Sequence, residues 1–168
     1  MLMGAMAGVG ATILTGGPYL GLLMAAGAAG FLSLIFAFLV IVMRVNQVIS
    51  GLTMVFLAQG FTTLVSTQMG WTNKSFVGIS ALDFGFLADI PILGRFIFGH
   101  DVIVYSTILI FAATVYVFDQ TEIGLRIKAV GENPEAADSA GVSVSYHRFL
   151  AVVVGCMLVG LAGGYLSV

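Results

Sequence analysis

From residue 1 to residue 43 the chain carries no charged side chain. That run is about twice the roughly 20 residues needed to cross a hydrocarbon core as a helix. Gly16-Gly17-Pro18 stands in its middle, and a turn there divides the run into two helices. Arg44-Val45-Asn46-Gln47 ends the second. A third uncharged segment covers 48–65 and breaks at Gln68, Gly70 and Lys74; a fourth covers 102–118, and a fifth 149–168. Residues 71–101 are mixed, with Asn73, Lys74, Asp83, Asp89, Pro91, Arg95 and His100 set among aromatics. Such a composition suits an interfacial loop with short helices. Residues 119–148 form a second polar stretch. The expected architecture is an all-α integral membrane protein, a polytopic transmembrane helix bundle of about five spans in one domain covering 1–168.

Composition excludes the main competitors. The chain is 60% hydrophobic and 8% charged, with a mean hydropathy of +1.11, whereas soluble domains are roughly one quarter charged. So few charges cannot build a water-facing surface. A net charge of -2 and six scattered Lys and Arg give no footprint for nucleic acid, and no basic amphipathic stretch is present to lie on a membrane surface. The single cysteine, Cys156, cannot form an internal disulfide or a cysteine-based zinc site. In its apolar run it reads as a small buried hydrophobe. No cofactor or metal is expected. The first run opens without a positively charged flank, unlike a signal peptide, and residue 168 falls inside an apolar segment. The chain is therefore expected to be part of a longer membrane protein.

Lys and Arg set the orientation. With 119–148 cytoplasmic, alternation of five spans puts Arg44, Arg126, Lys128 and Arg148 inside and only Lys74 and Arg95 outside, as the positive-inside rule favours. Three glycine pairs, Gly4 with Gly8, Gly17 with Gly21 and Gly160 with Gly164, are spaced to give small-residue grooves for close helix packing. Gln59, Thr62 and Thr63, with Gln68, Ser66 and Thr67, make the third span the most polar. Such side chains face either neighbouring helices or a solute pathway.

The 119–148 loop carries the most specific signals. Asn133 is a helix N-cap, Pro134 suits the first helical position, Glu135 places negative charge in the first turn, and Gly141 can take the left-handed position at the C-terminus. These bracket about two turns containing Ala136, Ala137 and Ala140, whose small size lets another protein surface approach. A helix so short is marginal alone and needs something to dock against, unless it is only a connector.

Glu135-Ala136-Ala137 followed by Gly141 resembles the cytoplasmic coupling loop of permease subunits of ATP-binding-cassette importers. The longer string, Gly124-Leu125-Arg126 and then Lys128 through Ala137, is most similar to the branch that imports simple sugars, nucleosides and branched-chain amino acids. Residues 44–51 and 89–94 look most like its sugar and nucleoside members. The Ile-x-Leu-Pro ending of the broader motif is absent after Gly141, and members of this branch are far longer.

The resemblance implies a multi-pass subunit of the cytoplasmic membrane. Glu132, Asn133, Pro134, Glu135, Ala136, Ala137 and Gly141 would couple it to ABC ATPase subunits. Its other partners would be a second permease subunit and an extracytoplasmic solute-binding protein docking on 71–101. No residue need be catalytic, and the chain has no Gly-x-x-x-x-Gly-Lys-Ser/Thr phosphate loop. Two rivals stand beside this reading. An ATP-independent carrier or channel would place ionisable residues well inside a span, and none is there. An intramembrane enzyme would need a motif such as His-Glu-x-x-His or Gly-x-Ser-x-Gly, and neither occurs. His100 and His147 sit at span edges, as interfacial polar residues do.

Overall fold

The computed structural model describes residues 1–71 and 102–167, and every regular element among them is helical. Among the described residues, seven α-helices follow in chain order. Helix α1 is Leu2–Thr15; α2 is Pro18–Ala37, continued by a π-helical turn Phe38–Val42; α3 is Gln47–Gln68. Helix α4 is Val102–Gln120, α5 Glu122–Glu132, α6 Pro134–Ser139 and α7 Val144–Ser167. Of the five expected spans, four reach crossing length, those built on α2, α3, α4 and α7. Helix α1 has 14 residues, about 21 Å at 1.5 Å per residue, against a hydrocarbon core of roughly 30 Å. The interfacial segment expected at 71–101, with Lys74, Asp89, Arg95 and His100, lies outside the described residues apart from Trp71.

The sequence punctuates these helices as its local chemistry demands. Gly16 ends α1 at φ 68°, its amide donating to the Thr12 carbonyl, a left-handed closure that costs glycine little. Pro18 opens α2 at its first position, where the missing N–H costs nothing. Asn46 caps α3 by accepting from the Val48 amide at 2.9 Å. Between them Arg44 adopts φ 53°, a strained conformation for a residue with a Cβ. It follows a π-turn in which the Met43 amide donates to the Phe38 carbonyl at 3.1 Å.

Two compact units make up the chain, one of Met1–Val77 with Ala129–Val168 and the other of Gly78–Lys128. In the first, α1, α2 and α7 pack on one another through small residues. A Cβ on Gly4 would lie 2.5 Å from the Gly160 carbonyl oxygen, and one on Gly8 3.1 Å from the Gly164 Cα. Gly21 meets Thr12 and the backbone of Gly8, and Ala25 is fully buried. Two of the three expected glycine pairs therefore face each other across a single seam. In the third pair Gly21 packs closely while Gly17 has nearly open surroundings. Without a hydrophobic drive between helices in lipid, such backbone approach is what holds them together. Ser167 adds a hydroxyl 3.1 Å from the Ala5 carbonyl oxygen. Large side chains face outward, Leu23, Phe31 and Phe56 among them, as a surface solvated by acyl chains requires.

In the second unit, α4 turns into α5 around Thr121. The Gly124 amide donates to the Thr121 hydroxyl at 3.2 Å. A Cβ on Gly124 would collide with the Val117 carbonyl, so only glycine permits this turn. Asp119 pairs with Lys128 at 2.6 Å, and Glu122 with Arg126 at 3.2 Å.

Candidate functional site

The 119–148 stretch is mostly helical rather than a loop. Helix α5 fills its first part, and α7 starts at Val144, five residues before the expected Phe149. The signal for α5 is present as Ile123, Ile127 and Val130, which recur at one helix face, with Glu122 and Arg126 as an i, i+4 pair.

The short helix forms where its signals place it. Asn133 Oδ1 accepts from the Ala136 amide at 3.0 Å, satisfying one of the donors that a helix start leaves open. Pro134 is first in the helix and Glu135 lies in its first turn. Gly141 takes φ 81°, and the Val142 amide returns to the Ala137 carbonyl at 2.9 Å, closing the C-terminus. Replacing Asn133 by Ala should cost about 1 kcal/mol of local stability. Faster hydrogen exchange at the Ala136 and Ala137 amides would report it, while amides in α7 keep their protection.

Exposure divides the expected coupling residues. Glu132, Asn133, Glu135, Ala136 and Gly141 are exposed and Pro134 is partly so, together with Ser139 and Ala140. Ala137 is instead 5% exposed, its methyl turned into its own chain. The face available to another protein is therefore built on Ala136, Ser139 and Ala140, which lie at helical spacing. His147 is also buried, at 7% exposure, with Nδ1 2.8 Å from the Ser143 carbonyl oxygen. Because a carbonyl only accepts, that nitrogen carries a proton. Its ring meets Tyr146 edge-on at 5.5 Å. His147 thus sits in the first turn of α7, at the edge of that span, with its ring turned into its own chain.

A cleft of about 1010 Å³ opens beside α6, lined at its polar end by Arg44, Gln47, Glu135, Asp138 and Arg148. It brings the turn between α2 and α3 to the same end of the unit as the start of α7, which is the arrangement that alternating spans require.

On α3, Gln59, Thr62 and Thr63 occupy i, i+3 and i+4 positions and so share a face. Gln59 and Thr63 are exposed. The Thr62 hydroxyl is buried with no hydrogen-bond partner among the described residues, a costly state that calls for a polar group from elsewhere.

Comparison with known proteins gives this arrangement a context. A putative glucose ABC transporter permease of Haloferax volcanii is 35% identical over 99% of this chain and 51% of its own length. A guanosine ABC transporter permease of Bacillus subtilis is 34% identical over 88% of this chain and 47% of its own. A nucleoside ABC transporter permease of Lactococcus lactis is 28% identical over 97% and 54%. The chain spans about half the length of the curated relatives it matches. No solved structure matches it. The spans and these relatives make it a multi-pass protein of the cytoplasmic membrane. The whole chain, residues 1–168, matches the family described as the permease component of the branched-chain amino acid transport system, and the protein belongs to that family.

Proposed function

We propose that the chain is part of the membrane-spanning subunit of an ATP-driven importer, carrying a simple sugar or a nucleoside inward, with ATP hydrolysed in a separate subunit. The observation that carries this reading is a capped helix, α6, with an exposed small-residue face outside the spans of a chain of this family. Closure of two ATPase subunits would push on α6, and α7, which follows after a short turn, would pass the motion to a pathway between two permease subunits. The relatives named for glucose, guanosine and nucleosides favour a solute rich in hydroxyls. Gln59, Thr62 and Thr63 supply amide and hydroxyl groups suited to it, and the unpartnered Thr62 hydroxyl supports a polar guest on that face.

The reading requires α6 to face the cytoplasm. In a Cys156-free full-length background, an impermeant thiol reagent added outside the cell should label a cysteine placed at Ser80 and spare one at Ser139. The opposite pattern would remove the coupling role of α6.

A further inference from the structure

The cleft beside α6 is amphipathic along its length. Its apolar end is formed by Phe36 of α2, by Val40 and Ile41 of the π-helical turn that continues it, and by Ala151 and Val152 of α7. Its polar end holds two guanidinium groups, Arg44 and Arg148, and two carboxylates, Glu135 and Asp138. Among the described residues the ion pairs join Arg126 to Glu122 and Lys128 to Asp119. The four charged groups of the cleft therefore form none with one another. All four are exposed, and exposed charges of both signs beside an apolar groove complement a guest that carries both signs and an apolar tail.

Position narrows the guest. The segment Pro18–Val42 is 25 residues long, about 37 Å as a helix against a hydrocarbon core of roughly 30 Å. Arg44 comes two residues after its end, which suits headgroup depth, while Phe36 and Val152 lie within spanning helices. We propose that the cleft binds a zwitterionic phospholipid with a primary amine headgroup, its phosphate between Arg44 and Arg148, its ammonium on Glu135 and Asp138, and an acyl chain along Phe36 and Val152. A net-anionic headgroup would meet the two carboxylates, and a quaternary ammonium has no N–H to donate to them. Basic pockets between spans are known binding places for lipid headgroups, and the two carboxylates give this one its selectivity. The inference depends on the membrane-spanning fold alone, whichever face α6 occupies and whether or not it couples to an ATPase.

The test uses the full-length permease in nanodiscs containing equal amounts of phosphatidylethanolamine, phosphatidylcholine and phosphatidylglycerol, with a photo-crosslinking residue at Val152 and, in a second preparation, at Ala151. Mass spectrometry of the adducts should show the ethanolamine lipid favoured by about threefold or more over each of the others. Arg148→Gln should cut that adduct by about fivefold through loss of the charge-assisted phosphate contact. Asp138→Asn should reduce the preference for the ethanolamine over the choline lipid. Equal labelling of the three lipids, an adduct unaffected by Arg148→Gln, no adduct at either position, or crosslinks to polypeptide in place of lipid would each overturn the proposal.

Discussion

Ala136→Arg, placed in the full-length permease, will lower co-purification with the ATPase subunit by about tenfold or more, the equivalent of about 1.4 kcal/mol, and will leave membrane insertion unchanged. Ala136 is exposed on α6, outside every span, and its amide is already held by the Asn133 side chain at 3.0 Å. Arginine is a good helix former, so α6 itself persists. What changes is its outer face, where a long cation replaces a methyl at the place the proposed ATPase cleft would close upon. Ala137→Arg is the less informative variant. Ala137 is buried in its own chain, so the substitution would damage the loop whether or not anything docks there. Glu135→Lys should act in the same direction as Ala136→Arg, since it exchanges a charge favoured at a helix start for an unfavourable one, worth roughly 0.3 to 1 kcal/mol each way. Normal assembly of the Ala136→Arg protein would make α6 a connector.

The largest loss of stability will come from Gly160→Val. A Cβ at Gly160 collides with the Ala29 methyl and comes within 2.9 Å of the Ala25 carbonyl oxygen. Neither can withdraw, because both belong to the backbone and first carbon of a helix already in contact. Overpacking of this kind costs about 1 to 3 kcal/mol where side chains can adjust, and here the upper end applies. Gly155→Val is the control, since a Cβ at Gly155 on the same helix meets nothing within 4 Å. Thermal unfolding in nanodiscs should show Gly160→Val markedly destabilised and Gly155→Val much closer to the parent. Equal effects would mean that helix propensity, not the α1–α2–α7 seam, sets the response.

Much of this architecture was legible because lipid imposes few solutions. Uncharged runs bounded by Gly16-Gly17-Pro18 and by Arg44 define α1 and α2, and Asn133, Pro134 and Gly141 bracket α6, since caps act within one turn and need no tertiary information. What lay beyond reach depended on neighbours. Glycine spacing proposed three seams with equal force, and only the fold shows Gly4 and Gly8 meeting Gly160 and Gly164 while Gly17 stays open. Ala136 and Ala137 are indistinguishable by residue type, yet one is exposed and the other buried. Helix α5 was missed because its polar residues, Glu122, Arg126 and Lys128, hid the apolar recurrence of Ile123, Ile127 and Val130. The cleft beside α6 draws on residues about a hundred positions apart in the chain, which no local pattern connects.

Transport in proteoliposomes tests the importer reading most directly. The full-length permease and the proposed ATPase subunit and solute-binding protein are reconstituted together, and uptake of radiolabelled nucleosides and sugars is followed with ATP on the ATPase side. Accumulation of one such solute that requires ATP, stops when the ATPase is omitted and is abolished by Ala136→Arg is the predicted result. Equally fast uptake without ATP or without the ATPase would contradict it and mark the protein as an ATP-independent carrier or channel.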